Sequence, residues 1–308
     1  MQLLTDKKNL EYRPLVATIG FFDGVHIGHR FLIDQVREIA KAKGLPSAVI
    51  TFPIHPRKVM QQDFQPALLS NYNEKLVRLS STGIDYCIPF NFSNEASQMS
   101  AREFMLEILK NKYNVETLVI GYDHRFGNNR AEGFEEYKKY GDEIGIEVIQ
   151  AKQLEAPYVS SSHIRRLLKE GKMEDVASLL SYRYLISGKI IKGFQVGRTI
   201  GFPTANMELW ERYKVVPAFG VYAVYVYIEG DQYEGMLYIG KRPTLQQNSD
   251  ISIEVNIFDY DGDLYNKSLT TEFLQFIRHD EKFPDMESLK KQLYKDKENV
   301  MKVFKNHR

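Results

Sequence analysis

Residues 15–29 read LVATIGFFDGVHIGH, and residues 28–42 continue as GHRFLIDQVREIAKA. The opening run is apolar and of strand length, and the continuation carries apolar positions at helical spacing. A buried strand that passes through glycines into an amphipathic helix begins a βαβ unit. Strand-like runs at 47–52, 115–121 and 145–151 repeat this texture, with a helix at 100–109 opened by Ser100 and Glu103 as a capping box. The alternation predicts a parallel sheet covered by helices. Residues 162–180 read as two short helices broken at Gly171.

Beyond Tyr182 the texture changes. Residues 184–191, 220–228, 233–239, 252–259 and 268–277 are rich in β-branched and aromatic residues, with turn signals EGD at 229–231 and DGD at 261–263. Short strands at this spacing predict an antiparallel barrel or sandwich. Leu289, Leu293, Val300 and Phe304 lie at helical spacing, so residues 288–304 predict one helix packed on the strands. The predicted division puts one domain at 1–182 and the other at 183–308.

Chemistry gathers at the turns. His26 and His29 are three apart, so they share a side at the start of the first helix. A helix N-terminus favours anions, and two imidazoles there can donate to a triphosphate. A surface pair beside a glycine turn, or a metal site with no third ligand at a recognisable spacing, are the alternatives. Residues 121–133, GYDHRFGNNRAEG, follow a predicted strand, where ligands gather in open α/β sheets. Asp123 and Arg130 suit ribose, adenine or phosphate there, as they would suit an ordinary polar loop. Ser160, Ser161 and Ser162 with Arg165 make a phosphate grip or a plain helix cap.

In the second half, residues 193–206 read GFQVGRTIGFPTAN, with Gly193, Gly197 and Gly201 evenly spaced. Glycines let backbone N–H groups approach a phosphate, and Thr204 and Asn206, two apart on extended chain, present hard oxygen ligands for Mg2+ on one face. A glycine-rich hairpin with a proline turn reads equally well. The chain holds neither a G-x-x-x-x-G-K-[ST] loop nor a G-x-G-x-x-G fingerprint. Around Glu254, Ile251, Ile253, Val255 and Ile257 share one face; Ser252, Glu254, Asn256 and Phe258 share the other, which meets solvent or an active-site mouth.

With 308 residues, 43% hydrophobic and 26% charged, the chain can build two cores. A net charge of +1 gives no general footprint for nucleic acid or an anionic membrane, and no apolar run is long enough to span one. Cys87 is the sole cysteine, which fits a reducing cytosol, and the polar start does not read as a secretory signal. A cytoplasmic chain acting on small molecules is expected, with the oligomeric state left open. Trp210 reads as a packing residue, Cys87 as a small buried hydrophobe, and Tyr222, Tyr225 and Tyr227 as strand pairing.

Taken in order, these motifs resemble the bacterial bifunctional riboflavin kinase/FMN adenylyltransferase family, also called FAD synthetase, over nearly the whole chain. GFFDGVHIGH resembles its HxGH motif, with Phe21 where a small or polar residue is usual. GYDHRFG has His124 in place of a Phe, VSSSHIR keeps the hydroxyl at Ser162, and TFPIHP at 51–56 departs at Pro53 and Ile54, near the flavin contacts expected around Arg57. GRTIGFPTAN, IGKRPTL at 239–245, EVNIFDYDGDLY at 254–265 and IRHDEKF at 277–283 resemble the kinase half.

The resemblance implies a Rossmann-like nucleotidyltransferase domain and a six-stranded antiparallel barrel with a C-terminal helix. It implies ATP binding in the first half by Gly20, Phe22, Asp23, Gly24, His26, His29, Asp123, Arg130, Ser160, Ser161, Ser162 and Arg165. In the kinase half it implies ATP binding by Gly193, Gly197, Arg198, Thr199, Gly201, Pro203, Thr204 and Asn206, the last two on Mg2+. Glu254 would be the base, with Glu254, Arg278 and Phe283 against the flavin. Riboflavin, FMN and FAD would be substrates or products. A chain with one decayed half, a flavin-binding regulator with an RNA partner, and a different HxGH nucleotidyltransferase are the competing readings.

Overall fold

The computed structural model describes residues 1–5, 13–61, 63–64, 66–122, 124–128, 131–155, 157–192, 197, 201–241 and 251–307. The chain divides into two compact units, Met1–Ser161 and Ser162–Arg308. This division lies earlier than the sequence boundary at 182/183, because the helices α7 (Ser161–Lys169) and α8 (Met173–Leu180) go with the strands that follow. The Ala218 N–H donates to Leu168 O at 2.9 Å, and Lys169 Nζ donates to Val216 O at 2.7 Å.

In the first unit six parallel strands stand in the order β1-β4-β3-β2-β5-β6. They are β1 (Gln2–Leu3), β2 (Leu15–Ile19), β3 (Ser47–Thr51), β4 (Tyr86–Pro89), β5 (Val115–Ile120) and β6 (Glu147–Gln150). Every residue of β2 and β3 is buried, as central parallel strands require when both faces are covered. Leu15, Ala17 and Ile19 face one layer with Phe104, Met105 and Tyr137. Val16 faces the other, with Ile33, Val36 and Ala40 of α1 (Ile27–Lys43) and Leu79 of α3 (Tyr72–Ser80). The capping box read from Ser100 and Glu103 is present, and the helix it opens, Ala101–Glu103, runs on as a π-helix, Phe104–Lys112.

The second unit closes six antiparallel strands into a barrel ordered β10-β11-β8-β7-β12-β9. They are β7 (Leu185–Ile191), β8 (Ala205–Leu209), β9 (Gly220–Ile228), β10 (Asp231–Lys241), β11 (Ile251–Ile257) and β12 (Ser268–His279). Tyr222 and Phe273 meet edge to face at 5.0 Å inside it, both fully buried. Val221, Ala223, Met236, Phe258 and Leu274 point outward, where the C-terminal helix (Met286–His307) covers them with Val300, Val303 and Phe304. One wall of the barrel is therefore apolar on both faces. Two bulges interrupt β12 against β9, between Phe273 and Gln275 and between Phe276 and Arg278. Trp210, read as a packing residue, is 58% exposed instead; it follows the last residue of β8 and leaves the wall.

At Gly188 in β7 an added Cβ would run into the Glu208 carbonyl of β8 and stand 2.6 Å from Met207 Cγ. Gly188→Ala is expected to cost the second unit about 1–3 kcal/mol. Thermal unfolding should show that loss, with the first unit's transition unmoved.

Candidate active sites

Between β2 and β5 the sheet order reverses direction, since β3 and β4 lie on one side and β5 and β6 on the other. A crevice opens at the carboxyl ends of strands flanking such a switch point. The segment after β2 fills it with unusual backbone. Phe22, Gly24 and Val25 have φ of 53°, 78° and 41°, and a β-branched residue at positive φ is strained. Asp23 holds that strain in place. Its carboxylate accepts from Leu69 N at 3.0 Å and Ser70 N at 3.1 Å, while the Ser70 hydroxyl accepts from Gly24 N at 3.0 Å. Ser161 Oγ donates to the Asp23 carbonyl at 3.1 Å. The carboxylate of Asp23 thus anchors the loop.

His26 then caps α1, its Nδ1 accepting from His29 N at 3.3 Å. An imidazole that accepts through Nδ1 carries its proton on Nε2. The two rings stack at 3.6 Å, 15° from parallel. Burial, then His26, then Lys75 hold the His29 pKa well below its ordinary value, so its ring is neutral near pH 7. The buried Nδ1 of His29 has no partner among the described residues. Gly28 is required beside them, because a Cβ there would stand 2.9 Å from Val159 and 3.3 Å from the His26 ring. Gly20 lies where a Cβ would press on the Phe22 ring at 3.0 Å.

Lys75 carries no motif, yet it is buried beside this loop. One signal in the sequence marks it: it shares the inward stripe of α3 with Tyr72, Leu76 and Leu79. The loop after β5 is tied down at Gly127, whose φ is +91° and whose added Cβ would meet Ala101 N at 2.8 Å. His124 lies in that loop, 6.0 Å from Phe126. Asp123 and Arg130 lie outside the described residues. Ser160 precedes α7, and Ser162 and Arg165 stand on it, beyond the division between the units.

The second site is a cavity of about 340 Å³ on the helix-covered wall of the barrel. Strand pairing sets Tyr238 opposite Glu254 and Met236 opposite Asn256, so all four side chains share its floor. Glu254 accepts from the Thr204 hydroxyl and from the Ser252 hydroxyl, each at 3.1 Å. Asn256 Nδ2 donates to Pro203 O at 2.7 Å, which seats the Pro-Thr turn. Asn206 is paired with Glu254 across β8 and β11 but is not part of the cavity lining. Gly197 is tied to this turn, since Phe202 N donates to its carbonyl at 2.8 Å, and Gly201 has φ of +83°. Gly193, Arg198, Thr199 and residues 242–245 lie outside the described residues.

Arg278 closes the far side of the cavity. It binds Asp296 of the C-terminal helix through Nε at 2.9 Å and Nη2 at 2.7 Å, and Gln292 adds a bond to the same carboxylate at 2.8 Å. The guanidinium lies 5.6 Å over the Phe283 ring. Tyr238 donates to Asp280 at 2.9 Å; burial and that carboxylate push its pKa up, so it stays a donor. Leu289 and Leu293 supply an apolar roof, suited to a planar ring system. Sequence reasoning missed Tyr238, Asp280 and Asp296, whose partners are fixed only by register and helix docking.

A switch-point crevice with a histidine-capped helix, and a barrel cavity with a carboxylate beside a hydroxyl, define a chain with two transferase-type sites. The family model described as FAD synthetase matches residues 8–163, and that described as riboflavin kinase matches residues 180–304. Bifunctional riboflavin kinase/FMN adenylyltransferases are similar over nearly their full lengths. The Listeria monocytogenes protein is 35% identical, covering 94% of this chain and 92% of its own. The Escherichia coli K12 protein is 34% identical, covering 99% and 98%. A solved structure described as a macrolide-efflux protein from Streptococcus pneumoniae superimposes with a TM-score of 0.85 at 30% identity, covering 97% of this chain and 98% of that one. No helix among the described residues is long and apolar enough to cross a membrane. The chain belongs to the bifunctional riboflavin kinase/FMN adenylyltransferase family.

Two measurements check the electrostatics. Below about pH 6.5 the unfolded chain protonates His29 while the folded chain resists, so the unfolded state binds more protons and stability falls with pH. Melting curves of the first unit should slope downward below that pH, and His29→Gln should flatten the slope. Asp296 is fully buried against an Arg278 side chain 15% exposed. Asp296→Ala strands that cation, and chemical denaturation should record a loss of about 3–5 kcal/mol from the second unit.

Proposed function

We propose that residues 1–182 carry adenylyl transfer and residues 183–308 phosphoryl transfer. The chain makes FMN from riboflavin and then FAD from FMN, with ATP as co-substrate in both steps. The observation that carries this reading is the occurrence, in separate units, of a His29 nitrogen without a partner among the described residues and a Glu254 carboxylate oriented by two hydroxyls.

In the kinase step Glu254 takes the proton of the riboflavin 5′-hydroxyl as that oxygen bonds to the γ-phosphorus of ATP and ADP leaves. Thr204 and Ser252 hold the carboxylate in one rotamer. Arg278, fixed by Asp296, and Phe283 flank the flavin, whose rings lie under Leu289 and Leu293. Gly193, Gly197, Arg198, Thr199, Gly201 and Pro203 line the phosphates. Thr204 fits a hard cation because its hydrogen is directed to Glu254, which leaves oxygen lone pairs to ligate, and Asn206 adds an amide oxygen. No group of three or more His, Cys, Asp or Glu gathers for a metal among the described residues. Thr204 and Asn206 would hold Mg2+ jointly with the phosphates of ATP, where the ion would neutralise charge.

In the adenylyl step an FMN phosphate oxygen bonds to the α-phosphorus of ATP, and the bond to the leaving pyrophosphate breaks. No proton and no enzyme nucleophile are needed, so positioning dominates. His26 donates through Nε2 and His29 through its unpartnered nitrogen to the phosphate oxygens, at the positive end of α1. Gly20, Phe22 and Gly24 shape the loop, Asp23 anchors it, and Asp123 and Arg130 serve the nucleoside. Ser160, Ser161, Ser162 and Arg165 grip pyrophosphate. Dependence on ATP and a sequence with Cys87 as its one cysteine support a cytoplasmic reaction.

Purified chain supplied with riboflavin, ATP and Mg2+ should yield FMN and then FAD by chromatography. Glu254→Ala should abolish FMN formation yet still convert supplied FMN to FAD. The double variant His26→Ala, His29→Ala should make FMN and stop there. Normal kinase turnover in the first variant, or undiminished FAD synthesis in the second, overturns the corresponding assignment.

A further inference from the structure

Lys75 is 2% exposed, and its ammonium reaches two main-chain carbonyls. Nζ donates to Phe21 O at 3.0 Å and to Phe52 O at 2.7 Å. These carbonyls lie just past the ends of β2 and β3, which are hydrogen-bonded neighbours. One of the two loops runs to His26 and on into α1, which carries His29, and the other runs on to His55 and Arg57.

A chain of rings extends the tie. Nζ stands 4.1 Å over the Phe21 ring, which meets the His55 ring at 4.6 Å. His55 Nδ1 accepts from Arg57 N at 3.1 Å, and the His55 ring lies 5.4 Å from Phe64, over which Arg57 sits at 5.9 Å. Phe21, which departs from the usual pattern of its motif, is thus the ring that links the cation to His55, beside its direct bond to Phe52 O.

We propose that Lys75 is a positioning residue for adenylyl transfer: it clamps the loop after β2, which leads into the histidine-bearing start of α1, to the loop after β3 and holds a cation near His29. The inference rests on the adenylyl-transfer reading of the His26 and His29 site.

Two carbonyls at the ends of parallel strands repel each other unless a donor stands between them, and a lysine supplies three N–H groups from one atom. A lysine this buried is costly to charge. Burial pushes its pKa down to about 8, while Asp23 and Cys87 push it back up. The ammonium therefore persists at neutral pH. It faces Asp23, Cys87 and the Tyr72 ring, and His29 faces it together with His26. The same charge helps keep His29 neutral, the form that presents a single N–H donor to a phosphate.

The test is Lys75→Met in the full chain, with the kinase reaction as an internal control. FMN formation from riboflavin should stay within twofold of the wild type. FAD formation from supplied FMN should lose at least tenfold in kcat. The His29 imidazole, followed by NMR, should titrate at higher pH, because a cation beside it has gone. A purely structural lysine would lower melting temperature and kcat without moving that titration, and this result overturns the proposal, as does an unchanged kcat for FAD formation. If Lys75→Met leaves the first unit unfolded, Lys75→Arg is read instead: retained charge should keep the His29 titration low while displaced donors lower kcat, and wild-type kcat overturns the clamp. Should the double histidine variant retain FAD synthesis, the underlying reading fails; should it lose FAD synthesis while Lys75→Met does not, only the clamp fails.

Discussion

A carboxylate taken out of water costs several kcal/mol unless its oxygens find donors, and each unit of this chain builds its site around one that does. Asp23 has its oxygens on the Leu69 and Ser70 amides, and the strained turn from Phe22 to Val25 keeps its shape through those bonds. Asp296 has its oxygens on Arg278 and Gln292, and through them the C-terminal helix is pinned to the barrel wall. Each fixes its neighbours: the helix start with its histidines in one case, the guanidinium over Phe283 in the other.

The two units solve positioning differently. Parallel strands deliver their loops to one edge, so the first site assembles from turns that follow β2, β3 and β5. An antiparallel barrel has no such edge. Its site lies on a wall, where cross-strand pairs of Tyr238 with Glu254 and Met236 with Asn256 make the floor, and a helix makes the roof. Loops set the chemistry of the first unit, and register sets that of the second.

Much of this was legible in the sequence where the signal is local. Apolar runs marked β2, β3 and β5, Ser100 and Glu103 marked a helix start, and Gly171 marked the break between α7 and α8. The two-residue β1 and the polar ANMEL of β8 carry no periodicity of their own and become strands only beside their partners. The π-helical stretch after Glu103 has an ordinary helical pattern and gives no warning. At the sites, spacing alone anticipates the stacked histidine pair; it set Thr204 and Asn206 on one face, and of these only Thr204 lines the cavity. The anchoring of Asp23 to residues 69 and 70, the burial of Lys75, and the pairing of Arg278 with Asp296 depend on contacts far apart in the chain, which spacing does not encode.

The two bulges in β12 have a bearing on how this chain tolerates insertions and deletions. Each bulge absorbs one extra residue, so the strand carries a built-in offset between its start, which pairs with β7, and its end, which bears Arg278. Losing one residue between Phe273 and Arg278 would preserve the hydrogen-bonded ladder at the start of the strand. It would close one bulge and leave Arg278 opposite Val221, still turned to the helix that holds it. The segment thus tolerates lost length in a way its composition does not reveal: each bulge has one residue to give, whereas a deletion in the unbulged ladder with β7 would turn the side chains beyond it to the other face.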